Sequence, residues 1–325
     1  MTNLSIYAGV DVSKHFFDVC LVVEGKETLR QFRYDDKGMA ALRAWLPKGC
    51  FCVMEATGPY SLRLATGLYQ AGYPLSVVNP LVIKRFSQMR LLRAKTDRSD
   101  ARLIAAYARR EEPPLWQPPA AYLLKLQQLE ALHGQLTKQG SAMRCQQEAF
   151  RAGGMMDKEI EQFLARTIRQ LKEKLLWVEK KTAQLIEEHH RQLLQNLTTI
   201  PGIGRKTASV LIVLSQGFEK FGNARQLAAY VGLSPRIYES GTSVRGKTKT
   251  CKMGMSKVRA LLYVCAWSAK RCNRACSELY ERLLQKGKAK KLALIAVANK
   301  LIKQAFAIAK TNTPYQENYL KNTCS

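Results

Sequence analysis

Short apolar runs alternate with polar breaks through the first hundred positions. Ile6–Val12 and Phe16–Val23 form two such runs, separated by Ser13-Lys14-His15. Their length and bounding residues predict strands. Glu24-Gly25-Lys26 makes a turn before a third strand over 28–34. Three strands with short connections predict an antiparallel meander. Asp35 and Asp36 then open a helix over 39–46, and 50–55 is a fourth strand. Thr57-Gly58-Pro59 breaks the chain before a helix over 61–70, and Ala71-Gly72 stops that helix. Leu75–Val78 is a fifth strand, followed by a helix over 80–89 and another opening near Asp97. A meander followed by strands interleaved with helices is the order of a ribonuclease-H-like α/β fold.

The pattern changes after position 110. Four prolines fall within 111–119, which excludes a helix there and marks a domain boundary. From 120 to 151 the apolar residues recur at helical spacing, through Leu123, Leu124, Leu126, Leu129 and Leu132. Gly153-Gly154 interrupts, and a second helical stretch covers 157–197 with Leu164, Leu171 and Val178 among its apolar positions. Two long amphipathic helices joined by glycines predict an antiparallel hairpin of coiled-coil type. Such a hairpin serves either as a bundle packed on its own domain or as an oligomerisation arm. The remainder is predicted mostly helical, over 206–214, 224–231, 256–274 and 290–308. The domain division expected is 1–115, 116–196 and 197–325.

Charge then narrows the class. Lys and Arg number 52 against 25 Asp and Glu, a formal charge of +27. Nineteen of the cations, against four acids, fall between 231 and 325. An excess of this size points to an anionic partner, nucleic acid above all, over a merely solvated basic surface. The first residues lack a basic region followed by a long apolar stretch, so no secretion signal is expected. The apolar runs are too short or too interrupted to predict a bilayer span, so no membrane partner is expected. Nine irregularly spaced cysteines and only four histidines predict reduced core thiols and no zinc framework.

Against this basic background four acids stand out. Asp11 ends the first strand and Glu55 the fourth, while Asp97 and Asp100 sit three apart at the start of a helix. A carboxylate at the exit of a buried strand must be solvated, paired or bound to a cation. Neighbouring strand ends bring Asp11 and Glu55 to one spot, and i, i+3 spacing puts Asp97 and Asp100 on one helix face. Carboxylates gathered in this way suit divalent cations acting on phosphate, with Mg²⁺ as the expected cofactor. Taken singly, Asp97 also fits an N-cap and Asp100 a first-turn acid. Asp18, on the second strand, is expected at the surface. Tyr7, Tyr60, Arg90, Arg93 and Lys95 lie close to this set in sequence and are expected to hold backbone phosphates.

Two further segments carry chemistry. Thr199-Ile-Pro-Gly-Ile-Gly-Arg-Lys-Thr-Ala208 has the form of a helix-hairpin-helix element. Gly202 and Gly204 would let backbone N–H groups approach a phosphate, with Arg205 and Lys206 beside them. Its glycine spacing does not match a nucleotide-binding P-loop, and no buried strand precedes it. A plain helix turn is the simpler alternative. Downstream, Leu233 to Lys247 forms a hydroxyl-rich, glycine-flanked loop with Arg236, Arg245 and Lys247. Ser240 stands next to Gly241 there. On the residues alone a phosphate-binding loop with no covalent role is favoured over a nucleophile, since serine needs a base, a metal or both to react.

Taken in order, several motifs resemble the insertion-sequence one-ten family of transposases, DEDD recombinases related to the Piv DNA invertases. They are Gly9-Val-Asp-Val-Ser-Lys14, Glu55-Ala-Thr-Gly58, Val78-Asn-Pro80, Lys95-Thr-Asp-Arg-Ser-Asp100, Ile200-Pro-Gly-Ile-Gly204 and Gly232-Leu-Ser-Pro-Arg-Ile-Tyr-Glu-Ser-Gly241. The resemblance implies a RuvC-like N-terminal domain, a coiled-coil middle and a helical C-terminal transposase domain. It implies that Asp11, Glu55, Asp97 and Asp100 are the metal-binding tetrad and that Ser240 is the catalytic serine, with Thr242, Ser243 and Tyr238 as rival nucleophiles. It also implies donor and target DNA as substrates, a structured non-coding guide RNA, a dimer or tetramer, and a bacterial cytoplasmic, nucleoid-associated setting. A RuvC-like nuclease that activates water, and a non-catalytic nucleic-acid-binding protein with a degenerate site, are the alternatives.

Overall fold

The structure is a computed structural model that describes residues 6–91, 97–236, 239–240, 244–245, 249–250 and 254–317, with the backbone alone described at 97–98 and within 235–250. The chain forms two compact units, Met1–Pro119 and Ala120–Ser325.

The first unit is built on a five-stranded sheet. β1 (Ile6–Val12), β2 (Phe16–Val23) and β3 (Lys26–Arg33) form the expected antiparallel meander. β4 (Phe51–Glu55) lies parallel to β1, and β5 (Leu75–Val78) parallel to β4, giving the order β3-β2-β1-β4-β5. The helices are α1 (Asp36–Trp45), α2 (Pro59–Gln70), α3 (Pro80–Met89) and α4 (Asp97–Glu111). Local chemistry starts two of them. The Asp35 carboxylate accepts from the Gly38 N–H at 2.8 Å, and the Asn79 side chain accepts from the Leu81 N–H at 2.9 Å ahead of Pro80.

Strand alternation sorts side chains to two faces. Ala8, Val10 and Val12 join Leu42 of α1 and Leu64 and Leu68 of α2 in one core. Tyr7, Phe51 and Val53 join Ile83 and Phe86 of α3 and Ala101, Ile104 and Ala105 of α4 in the other. The proline-rich segment runs back along β5: the Trp116 N–H donates to the Leu75 carbonyl at 2.7 Å, and the Ser76 hydroxyl to the Pro114 carbonyl at 2.8 Å.

In the second unit α5 (Ala121–Ala152) and α6 (Lys158–Thr198) form a hairpin. Its contacts run antiparallel: Arg151 with Glu161 near the turn, His133 with Glu179 midway, and the Tyr122 ring stacked on His189 at the base. On α6, Leu164, Leu171 and Val178 are buried at seven-residue intervals. The base of the hairpin shares a core with α7 (Arg205–Ser215), α8 (Ala224–Val231), α9 (Ser256–Cys272), α10 (Arg274–Gln285) and α11 (Lys290–Thr311).

Several expectations need correction here. The helix expected over 256–274 is α9, but a further helix, α10, follows where none was expected, because Asn273 ends α9 and caps α10. Its Oδ1 accepts from the Cys276 N–H at 3.2 Å, while its Nδ2 donates to Gln304 Oε1 at 3.1 Å. The hydroxyl-rich loop contains two short pairings, β6 (Pro235–Arg236) with β9 (Lys249–Thr250) and β7 (Glu239–Ser240) with β8 (Val244–Arg245). Finally, α11 is long and apolar enough to cross a membrane by length and composition. Its apolar residues Leu294, Val297, Leu301 and Ile302 are instead core of the second unit.

Candidate active site

Position in the sheet sets two acids of the first unit side by side. The β1–β4 register pairs Val10 with Met54, so Asp11 and Glu55 follow side by side at the carboxyl ends of parallel strands. By alternation both belong to the face that carries Tyr7, Gly9, Phe51 and Val53, the face packed by α4. Gly9 explains how α4 comes so near: a Cβ built there collides with backbone atoms of Ala101 and Ala105. The C-terminal end of α4 leads to Pro114 and Trp116, which bond the start of β5. Its first turn, with Asp97 and Asp100, therefore points to the carboxyl ends of β1 and β4. Ala101 sits at Gly9; Asp11 lies two residues along the strand, about 6–7 Å, and Asp97 four along the helix, about 6 Å. Asp11, Glu55 and Asp100 are each half-buried.

The donors suit a hard divalent cation in kind, since all are carboxylate oxygens. Among the described residues no three His, Cys, Asp or Glu side chains converge closely enough to hold an ion, and the side chain of Asp97 lies outside that description.

Two readings of nearby residues are overturned. Asp18 is not a surface residue; it is 5% exposed and pairs directly opposite Asp11 in the β1–β2 register. Gln31 Nε2 donates to both of its oxygens, at 3.3 and 3.1 Å. Tyr7 is 6% exposed in the core beneath α3 and α4 and cannot reach a phosphate. Tyr60 is partly exposed on α2, with its carbonyl accepting from the Tyr34 hydroxyl. Arg90, at the end of α3, lies over the Phe86 ring at 5.5 Å, and Arg93 and Lys95 fall outside the described residues.

In the second unit the glycine turn has a packing role. Gly202 has φ +101°, and a Cβ there would lie 2.6 Å from the Ala269 Cβ of α9. Gly204, at the N-cap of α7, faces open space. Arg205 and Lys206 have partners within the chain: Arg205 Nη2 meets Glu187 Oε2 at 2.7 Å, and Lys206 Nζ meets Glu179 Oε1 at 3.7 Å. The backbone of Ser240 pairs with Val244 in the β7–β8 ladder. The backbone of Arg236 lies in β6 and that of Arg245 in β8, while Lys247, Tyr238, Thr242 and Ser243 lie outside the described residues.

One feature had no advance signal, because it depends on how two helices pack. Between α10 and α11 opens a groove of about 1010 Å³. Leu279, Leu292 and Ile295 are among its lining residues, together with Arg282, Lys291, Lys300 and Lys303. No acid is among its described lining residues.

Comparison with known proteins gives this arrangement a class. A family model described as "Transposase", for DEDD proteins of the IS110 type, matches residues 8–150. Another, "Transposase IS116/IS110/IS902 family", matches residues 194–281. A pilin gene-inverting protein of Moraxella bovis is 31% identical over 322 residues, 96% of this chain and 98% of its own length. Its counterpart in Moraxella lacunata is 30% identical over the same shares. The transposase for insertion sequence element IS1111A of Coxiella burnetii is 25% identical over 274 residues, 77% of this chain and 72% of its own length. These matches define a transposase, a class of enzyme that acts on DNA. Within that class, the chain belongs to the IS110 family.

Proposed function

We propose that this transposase exchanges DNA strands through a serine–phosphate link, using a RuvC-like DEDD domain. The observation that carries the reading is the gathering of Asp11, Glu55 and the first turn of α4 at one end of one sheet face. Asp11, Glu55, Asp97 and Asp100 would hold Mg²⁺. When bound, the ion supplies charge neutralisation on the phosphate under attack.

The chain's own part is nucleophilic. Ser240 Oγ bonds the scissile phosphorus as one P–O bond of the strand breaks; the serine proton passes through a base to the leaving strand oxygen, which departs as a hydroxyl. Attack by another strand hydroxyl then reverses the step and releases the serine. Phosphoester bonds are conserved in number, so no nucleotide hydrolysis is needed. Because Ser240 and the acids belong to different units, the reaction requires their assembly, within one chain or between copies in a dimer or tetramer. The functional division would be 1–115, 116–196 and 197–325. The seven-residue recurrence along α6 supports a coiled-coil arm in the middle part.

The surplus of cations supports backbone contact with DNA and with a structured guide RNA. The α10–α11 groove, with Arg282, Lys291, Lys300 and Lys303 in its lining, offers a place for such contact. The guide RNA itself rests on the resemblance of the sequence motifs. The bacterial cytoplasm, at the nucleoid, is the setting this chemistry calls for.

The test is Ser240→Ala in a recombination assay with donor and target DNA. Strand exchange and any covalent protein–DNA adduct should disappear while DNA binding persists. Adduct-free cleavage that survives the substitution would convert the reading to a water-activating nuclease.

A further inference from the structure

We propose that Trp267 is a stacking platform for an unpaired base of a nucleic-acid strand. The inference deepens the proposed contact between this chain and nucleic acid, on which it rests, and does not depend on the serine mechanism.

At about 100° per residue, α9 has two opposed sides. Leu262, Cys265, Ala266 and Ala269 are core of the second unit. On the opposite side Val264, Trp267 and Arg271 follow one another at i, i+3, i+7 spacing, and all three are exposed. Val264 is 66% exposed and Trp267 47%. An indole and a valine left side by side in water form an apolar patch rimmed by charge, the mark of a binding surface.

The charge around the ring selects the partner. From Gly254 to Ser277 the sequence has five Lys or Arg and no Asp or Glu. Lys270 Nζ lies 4.1 Å from the centre of the Trp267 ring and 5.0 Å from that of Tyr280. Glu278, the next acid along the chain, meets Arg274 at 2.9 Å. A ring edged by cations suits a base on its face, with a neighbouring phosphate at Lys270 or Arg271. Lysine carries its charge on a flexible stem, so Lys270 passes from ring to phosphate as a base arrives. A protein partner fits less well. A stable interface covers about 800 Å² on each side, whereas this patch rests on Val264 and Trp267. A second copy would bring the same positive excess to a face that is already basic. Duplex DNA keeps its base faces stacked on one another, so only an unpaired base reaches the ring.

The full-length protein is tested by fluorescence anisotropy on oligo-dT, on oligo-U and on a duplex of equal length. Trp267→Ala should weaken binding to single strands about tenfold, within the range for loss of one stacked base. Duplex binding should not change. Trp267→Phe should keep most of the single-strand affinity, because a phenyl ring still stacks. In the wild type unlabelled oligo-dT should quench tryptophan fluorescence, and in Trp267→Phe the quench should be smaller. A loss confined to oligo-dT or to oligo-U identifies the stacked strand as DNA or RNA.

Single-strand binding that is unchanged in Trp267→Ala, or that weakens no more than duplex binding, would overturn the inference. So would a fall from dimer to monomer in sedimentation, which makes the patch a contact between copies. If Trp267→Ala does not fold, the comparison with Trp267→Phe decides, and an equal quench overturns the stack. None of these readouts includes strand exchange, so failure here leaves the role of Ser240 untouched, and Ser240→Ala leaves these affinities in place.

Discussion

At Gly9 the fold has no space for even one methyl group. The atoms in the way belong to the backbone of α4, at Ala101 and Ala105, so no side-chain rotation can relieve the contact. Gly9→Ala must push α4 off β1, and overpacking of this kind costs about 1–3 kcal/mol. Because the first turn of α4 carries Asp97 and Asp100, the same displacement separates them from Asp11. The expected outcome is a melting temperature lowered by several degrees and a loss of strand exchange larger than the stability loss explains. A variant that melts early yet recombines at the wild-type rate below its transition would show that α4 need not sit so close. Residue type singled out the four acids because a carboxylate at the end of a buried strand needs solvent, a partner or a cation, but it did not reveal the burial of Asp18. Its burial depends on β3 and Gln31 covering it, a tertiary effect invisible in the local run Phe16–Val23.

Among the elements, α6 contains the most informative irregularity. His190 has φ −138° and ψ 26° inside the helix, and its ring packs against Gly217, where a Cβ would come within 2.7 Å of its Cε1. Its Nε2 is buried with no hydrogen-bond partner among the described residues. Burial first, and His189 second, hold the imidazole below its ordinary range, while Glu219 opposes them. Tyr122 of α5 completes the surroundings. The unfolded chain, titrating near pH 6.5, therefore takes up the proton before the folded one does. Stability present above about pH 6.5 is lost as pH falls from there toward the lower folded value. His190→Gln removes this titration. Between pH 7.5 and 5.5 the wild type should lose more melting temperature than the variant. Equal losses would place the titration elsewhere. The hairpin itself was readable from apolar spacing, as were the strands of the first unit, because both periods are local. The kink was not, since it is set by the loop at Gly217. Nor was α10, although Asn273 is a favoured N-cap residue; the helix expected over 256–274 ends close to where α9 does, and the bonds of Asn273 to Gln304 and Cys276 mark the start of the next.

For the whole molecule, a formal charge of +27 guarantees attraction to nucleic acid but does not say which cations touch it. The ion pairs divide them. Arg205 and Lys206, placed at a glycine turn, already meet Glu187 and Glu179. Lys300 and Lys303 line the α10–α11 groove, whose described lining has no acid to neutralise them. Phosphate contacts release counterions, and each adds about 0.9 to the slope of log affinity against log salt on duplex DNA. Replacing both Lys300 and Lys303 by Gln should therefore reduce that slope by close to 2, measured by fluorescence anisotropy on a duplex of arbitrary sequence. Arg205→Gln with Lys206→Gln should change it by less, because a cation that leaves a carboxylate for a phosphate gains less. Neither pair lies in the acidic site, so the difference reads the DNA track and not the chemistry. If the Arg205 and Lys206 replacements lower the slope more than the groove replacements do, DNA follows the glycine turn, and the groove between α10 and α11 serves another purpose.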